Sequence, residues 1–245
     1  MMIDFDRIVI VNLDRRPDRW LRIRANLRRI DWPFDRQPER VAAFDGRDHP
    51  PPEGFGGTAG AWGCFRSHLA VCNAALRDGV ESLLIFEDDA LLLPDFDLRA
   101  RRFLDVVPDD WEMLYLGGRH WEKDRCPVSV NREVLQGFCV LGTWAYALRG
   151  RAIDALRDTI DRFPHCLEEE KFNVDRIFGS LQSLERRPDR PMGELRTYTP
   201  WRWMVHHGEG LSDTNGLRYR SYHFDLADEL IDELRAGLTQ EEVLI

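Results

Sequence analysis

Two periods of apolar residues run along this chain, and the switches between them mark its elements. Arg7–Leu13 (RIVIVNL) is a near-continuous apolar run, the pattern of a strand covered on both faces. Pro17 suits the first turn of a helix; Trp20, Ile23, Leu27 and Ile30 follow at helical spacing until Asp31–Pro33 ends it. Arg40–Phe44 predicts a second strand, followed by a long loop rich in Pro and Gly, DGRDHPPPEGFGGTAG. Loops of that length are usually functional. Its glycines lack dinucleotide-fingerprint spacing, and no strand runs straight into them. Ala61–Arg77 predicts a helix with Trp62, Phe65, Leu69, Cys72 and Leu76 on one side and Gly79 closing it.

Ser82–Phe86 reads as a buried strand, and a helix runs through Leu98–Leu104. Trp111–Gly118 is another buried strand, stopped by its two glycines, and Val134–Leu148 holds two strand-like runs around Gly142. A helix over Ala152–Phe163, a short helix over Val174–Leu184 and a short strand over Leu195–Thr199 follow. The closing LADELIDELRAGL is an acidic amphipathic helix; with basic residues nearly absent, its apolar stripe is expected on the protein body rather than on a membrane. Strands alternating with helices predict an α/β fold, a single domain over 1–222 with a central sheet flanked by helices, and 223–245 as a helix packed on it. In such sheets ligands sit at the carboxyl ends of the strands.

Composition narrows the function classes. The chain has 245 residues, 43% hydrophobic and 31% charged, ordinary for a globular protein with a substantial core. A net charge of -9 argues against nucleic acid as a partner. The charge is uneven: residues 1–40 carry ten Arg against seven acids, so the start of the chain suits either an anionic ligand or a solvated helix face. The start MMIDFDRIVIV has acids where a signal peptide needs basic residues, and no apolar run approaches a membrane span. Five cysteines without C-x-x-C spacing fit free thiols in a reducing compartment. Cytoplasmic location, with at most peripheral membrane association, is the expectation.

The chemistry concentrates in Leu83–Leu93, LLIFEDDALLL, where three consecutive acids interrupt an apolar run. At roughly 6 Å and an effective dielectric near 20, each like-charge pair costs about 2–3 kcal/mol. Either the strand ends in water or a cation sits among the oxygens. On an extended backbone Glu87 and Asp89 project to one side and Asp88 to the other. Two such carboxylates suit Mn²⁺ or Mg²⁺, whose remaining coordination positions accept phosphate oxygens.

A wider pattern supports this reading. VNLDRRPDRW, AAFDG at Ala42–Gly46, GCFRSH at Gly63–His68 and LLIFEDDALL resemble, in order and spacing, glycosyltransferase family 25. LYLGG, GTWAYALRGRAIDAL, NVDRIF and TPWRWMVHHGEGLSD look like later blocks of that family, so the resemblance covers roughly 7–215. It implies a GT-A-like fold, a UDP-sugar donor and inverting transfer to a glycan hydroxyl. Two positions depart from the family: Ala61 stands where Glu is frequent, and His206–His207 where a Gln is frequent.

The resemblance implies roles. Asn12, Arg15 and Arg19 follow the first strand, where such enzymes hold the nucleotide; Arg15 and Arg19 also read as a solvated helix start. Asp45 holds uracil or ribose, or simply makes a turn. Ser67 and His68 lead towards the site, His68 contacting the diphosphate, orienting a carboxylate or serving as a buried structural histidine. Cys64 reads as packing. Glu87, Asp89 and His207 (or His206) are the expected metal ligands, with Asp88 against ribose or a positive residue. The base that removes the acceptor's proton is Asp175 or Asp213, Asp175 preferred, although a helix N-cap also explains it. Trp144, Trp201 and Trp203 are expected along an acceptor groove, and Trp20 and Trp111 in the core.

The expected reaction moves galactose or glucose from a UDP-sugar to a bacterial surface saccharide. The alternatives are a metal-dependent nucleotidyltransferase and a non-catalytic member of the fold that binds nucleotide or glycan.

Overall fold

The computed structural model describes residues 3–121, 127–182 and 195–219. The first strand, β1 (Arg7–Asn12), lies between β2 (Glu39–Ala42) and β3 (Ser82–Glu87) and is parallel to both. The connections are α1 (Pro17–Leu27) and α2 (Ala59–Arg77). After β3 come a two-residue turn, the short β4 (Ala90–Leu92) and α3 (Phe96–Val106). The chain continues through β5 (Met113–His120), β6 (Val128–Ser129), β7 (Val134–Gln136), β8 (Val140–Arg149) and α4 (Arg151–Arg162). A short 3-10 turn, α5 (Val174–Gln182), β9 (Thr197–Pro200), β10 (Val205–His207), β11 (Gly210–Leu211) and β12 (Arg218–Tyr219) complete the described elements.

Eight strands form one mixed sheet in the order β2-β1-β3-β8-β5-β9-β7-β6, with β8 antiparallel to both of its neighbours. Strand alternation divides the core in two. Ile8, Ile10, Leu84, Phe86 and Leu114 face α1 and α3, where Ile23, Phe96 and Phe103 are buried. Val9, Val11, Leu83, Ile85 and Met113 face α2, α4 and α5, against Phe65, Leu156 and Phe178. The expected α/β architecture, a central mixed sheet with helices on both faces, is what the chain adopts. The expected helix within 223–245 lies outside the described residues.

Local differences have physical causes. Gly117 and Gly118 do not stop β5, which runs on to His120. A Cβ on Gly117 would overlap the Val205 carbonyl and the Trp144 indole, so glycine lets β10 cross the sheet there. The two runs within 134–149 separate at Gly137–Cys139 rather than at Gly142, where Cys139 takes a left-handed φ of 54 as the chain shifts from β7 to β8. The short β4, with apolar residues too few to show a period, is absent from the expectation; it pairs antiparallel with β10, a partner more than 100 residues away. The expected groove tryptophans are instead buried. Trp144 donates to Val205 O at 3.2 Å, Trp201 donates to Asn131 O at 2.8 Å, and Trp203 stacks on His120. Trp111 is core as expected, and Trp20 packs half-buried under Arg24 and Arg40.

Gly63 tests the contact that fixes α2 against the β2 loop. Helix propensity alone predicts that Gly63→Ala stabilises by about 1 kcal/mol. A Cβ there would lie 2.6 Å from Phe44 O and 2.8 Å from Gly46 N, backbone atoms that cannot swing away. We expect overpacking to win, with a net loss of about 1–3 kcal/mol in urea unfolding. A gain in stability would show that α2 does not press on this loop.

Candidate functional site

The parallel strands β2, β1 and β3 end at one edge of the sheet, and their carboxyl ends open on a cleft of about 510 Å³, partly open to solvent. Arg15 and Arg19 line one wall, Asp45 and Gly46 another, and α2 contributes Cys64, Ser67 and His68. Glu87 and Asp88 form the floor at the end of β3, and Asp213 reaches in from the loop after β11.

The acidic run departs from the expected alternation because β3 ends at Glu87 and the backbone turns through Asp88 and Asp89. Glu87 and Asp89 therefore do not share a side. Glu87 turns to α2 and β8, accepting from Thr143 Oγ1 and lying 3.2 Å from His68 Nε2. Burial works to raise its pKa, yet the bonds from His68 and Thr143 outweigh this and hold the carboxyl below its ordinary range. Asp88 and Asp89 both turn to Arg19, whose Nη1 donates to each at 2.9 Å. Asp88 also accepts from Asn12 Nδ2 at 2.6 Å; burial, with Asp89 alongside, still pushes Asp88 up to about 6. Asn12 is itself committed, accepting from Arg40 Nε at 2.8 Å and donating to Arg16 O at 3.1 Å. It positions Asp88 rather than offering a free amide to the cleft.

Pairing between β4 and β10 sets His207 opposite Ala90. Gly208 N donates to Asp89 O at 2.7 Å, and His207 Nε2 stands 3.6 Å from Asp89 Oδ2. Asp89 and His207 therefore share one neighbourhood, brought together from a turn and a distant strand. Asp89 Oδ1 and His207 Nδ1 are buried without a hydrogen-bond partner among the described residues. Carboxylate oxygen and imidazole nitrogen are donor types that Mn²⁺ accepts, and here it is Nε2 of His207, not the orphaned Nδ1, that faces Asp89.

Arg15 and Arg16 stand before α1 and Arg19 in its first turn, close to the positive end of the helix dipole. Arg15 pairs with Asp45 and, at 2.6 Å, with Asp213; Arg16 also pairs with Asp213, and Arg19 Nη2 lies 3.5 Å from it. Burial would raise Asp213, but the bond from Arg15 and the three guanidinium charges hold it below the ordinary carboxylate range. Arg19 Nη2 further donates to Leu211 O at 2.6 Å and Arg22 to Glu209 O at 2.7 Å, so the segment around Asp213 is strapped across α1. Asp213 is thus an arginine partner, a poor setting for a base.

Asp175, the other expected base, lies in the first turn of α5 with its Oδ2 3.3 Å from Gly142 N of β8. Its Oδ1 is buried and unpartnered among the described residues. Burial raises its pKa, and the charge of Glu87 adds to this against the bond from Gly142. It is not the N-cap, since α5 begins at Val174. Ser67 lines the cleft, but its hydroxyl is committed to Gly63 O at 2.7 Å and Phe44 N at 2.8 Å. His68 orients the Glu87 carboxylate while its Nδ1 meets Tyr146 Oη at 2.7 Å. Ala61 is the third residue of α2, above the Thr58 cap. A Glu there would close a capping box, so its replacement leaves that cap one-sided. Thr143, Tyr146 and Arg16 escaped the sequence reading. Thr143 and Tyr146 fall in a strand that reads as core, and Arg16 was overshadowed by its neighbours.

Arg19 carries the buried charge balance of the turn. Removing it by Arg19→Gln strands two neighbouring carboxylates in a site where Arg19 is 7% exposed. A loss of about 3–5 kcal/mol in urea unfolding at pH 7 is expected. A change below about 1 kcal/mol would mean that the turn is solvated and the pairing incidental.

Sequence comparison adds the lineage. The family description "Glycosyltransferase family 25 (LPS biosynthesis protein)" matches residues 57–133, the stretch that carries Cys64, His68 and the acidic turn. The human protein named "Inactive glycosyltransferase 25 family member 3" is 30% identical over 171 residues, covering 60% of this chain and 28% of that protein. "Procollagen galactosyltransferase 1" of Danio rerio is 27% identical over 171 residues, again 60% of this chain and 28% of the relative. The chain therefore spans under a third of the length of these curated relatives. A solved glycosyltransferase involved in glycosylation of the major capsid of PBCV-1 overlaps 62% of each chain at 10% identity with a TM-score of 0.39, too distant to bear on the site. The ordered sequence blocks, the matched family stretch and these relatives agree in direction: over residues 57–133 and the aligned segments, the chain is similar to glycosyltransferase family 25.

Proposed function

We propose that this chain is a metal-dependent inverting glycosyltransferase that moves a hexose, galactose or glucose, from a UDP-sugar to a hydroxyl of a glycan acceptor. The observation that carries the reading is the convergence of Arg15, Arg16 and Arg19 with the Glu87–Asp89 turn at the carboxyl edge of the parallel strands. Guanidinium groups at a helix start match diphosphate oxygens in charge and geometry. The likeness to glycosyltransferase family 25 supports the reaction class. The words "LPS biosynthesis protein" in the family description support a bacterial surface saccharide as acceptor, and the likeness to a procollagen galactosyltransferase supports a hexose donor. Free thiols at Cys64 and Cys72 support a cytoplasmic setting, and among the described residues no helix is long and apolar enough to cross a membrane.

Glu87, Asp89 and His207 would hold Mn²⁺ or Mg²⁺. When bound, the ion supplies neutralising charge for the diphosphate leaving group. The chain's own residues do the rest. Arg15 and Arg16 exchange Asp213 for the donor's phosphates, and Arg19 keeps the turn folded. Asp175 Oδ1 takes the proton of the acceptor hydroxyl as that oxygen attacks the sugar's anomeric carbon. A partly buried carboxylate with one unengaged oxygen and a raised pKa suits a general base.

A second reading, a member that binds the donor without turning it over, is favoured by Arg19. Its guanidinium already neutralises Asp88 and Asp89 without a metal, and relatives are named inactive.

Thermal unfolding with UDP and UDP-sugars in Mn²⁺, Mg²⁺ or EDTA tests the donor site. A ligand at ~100 times its Kd adds about 2.7 kcal/mol. We expect a Mn²⁺-dependent upward shift with a UDP-hexose, lost in Glu87→Ala and Asp89→Ala. No shift with any UDP compound would overturn the reading, and release of pyrophosphate instead of UDP would mark a nucleotidyltransferase.

Asp175→Asn separates catalysis from binding. It should keep the donor-induced shift while acceptor-dependent release of UDP from the donor falls by ~100-fold or more. The base acts ionised, so the wild-type rate should fall as pH drops through its raised pKa. That limb should lie above about 4, the ordinary aspartate value. Undiminished turnover in the variant would remove Asp175 from the mechanism, and absence of turnover in wild type, with binding intact, would favour the second reading.

A further inference from the structure

We propose that Cys64, His68 and Glu87 form a second metal site, selective for a thiophilic divalent cation such as Zn²⁺. One thiol sulfur, one imidazole nitrogen and one carboxylate oxygen from these residues all lie within 4.8 Å of one another. Cys64 and His68 stand one turn apart on α2 and so present their side chains on one face, opposite the end of β3. All three line the cleft, so three protein ligands converge with the fourth position open to a water or ligand, the arrangement of an accessible zinc site.

The donor set differs from that proposed for the nucleotide cation. Glu87, Asp89 and His207 offer oxygen and nitrogen, whereas Cys64 adds a sulfur that selects Zn²⁺ over Mn²⁺ or Mg²⁺. His68 is already held as a ligand should be. Its Nδ1 is fixed by Tyr146 Oη at 2.7 Å, leaving Nε2 turned towards Glu87. Burial first, and then the negative potential of Glu87, Asp175, Asp89 and Asp88, raise the Cys64 thiol well above its ordinary range, so the sulfur keeps its proton until a cation arrives. A bound Zn²⁺ meets that potential, and the thiol proton leaves to solvent as the Zn–S bond forms.

Because Glu87 belongs to both sets, occupancy by zinc removes a ligand from the nucleotide cation. Zn²⁺ should therefore inhibit transfer in competition with Mn²⁺; this consequence alone rests on the proposed glycosyltransferase reading.

The test is cobalt and zinc binding to the full chain, reduced and metal-free. Co²⁺ should bind one per chain and produce a thiolate-to-cobalt charge-transfer absorption, and Zn²⁺ should displace it, measured also against a chromogenic chelator. Cys64→Ser should abolish the absorption and weaken Zn²⁺ binding by at least 10-fold, whereas Asp89→Ala should leave both intact. Far-ultraviolet circular dichroism and the unfolding midpoint establish that each variant is folded. Should Cys64→Ser fail to fold, Cys64→Ala and the wild-type spectrum still decide. No charge-transfer absorption in wild type overturns the proposal, as does zinc binding that survives loss of Cys64 or is lost with Asp89. Failure of UDP compounds to bind would overturn the donor reading and leave this site standing, since the cobalt spectrum does not depend on the donor.

Discussion

One buried guanidinium organises this site. Arg19 donates through a single nitrogen to both Asp88 and Asp89, and through another to the Leu211 carbonyl. Without a cation there, two adjacent carboxylates, each under 10% exposed, would have to be desolvated side by side. Removing ionised groups from water costs several kcal/mol each unless a partner repays it. The turn after β3 is therefore possible only with α1 placed so that its first turn reaches the strand end. Pro17 starting α1 and Ile23 seating it on the sheet deliver Arg19 there. The acidic turn and the basic helix start are two halves of one constraint, and neither is comfortable alone.

The constraint propagates outward through register. Once the turn is fixed, β4 offers its edge to β10, and the pairing of Ala90 with His207 brings an imidazole from far along the chain to Asp89. Beyond β10 the strap carrying Asp213 returns to the same arginines. On the other side Glu87 is governed by a separate network, His68, Tyr146 and Thr143, rooted in α2 and β8. Adjacent residues thus answer to opposite layers of the sandwich: Glu87 to the helices on one face, Asp88 and Asp89 to α1 on the other.

How much of this was legible in the sequence follows from the range of each interaction. Central strands such as Arg7–Asn12 and Ser82–Glu87 announce themselves because burial on both faces demands an unbroken apolar run. The acidic run and the arginines at 15 and 19 were visible as charge in unusual places. Their pairing was not, because Arg19 and Asp89 are 70 residues apart. The expected side-sharing of Glu87 and Asp89 failed because alternation holds only while the backbone stays extended, and no Gly or Pro marks the turn. The tryptophans misled for a related reason. An indole suits either a sugar platform or a core position with a backbone acceptor, and only the fold supplied the acceptors at Asn131 and Val205.

Charge balance explains why a cation belongs in the proposed reaction at all. Around the cleft Asp45, Glu87, Asp88, Asp89, Asp175 and Asp213 face Arg15, Arg16 and Arg19. Even with Asp88 and Asp175 inclined towards their neutral forms, the guanidiniums are already engaged before a donor arrives. A diphosphate entering this cleft can take Arg15 and Arg16 only by displacing Asp213, which exchanges one anion for another and leaves the acidic turn facing it. At an effective dielectric near 20 such neighbours cost a few kcal/mol per pair. Added positive charge at the unengaged oxygen of Asp89 offsets that cost in the proposed reaction.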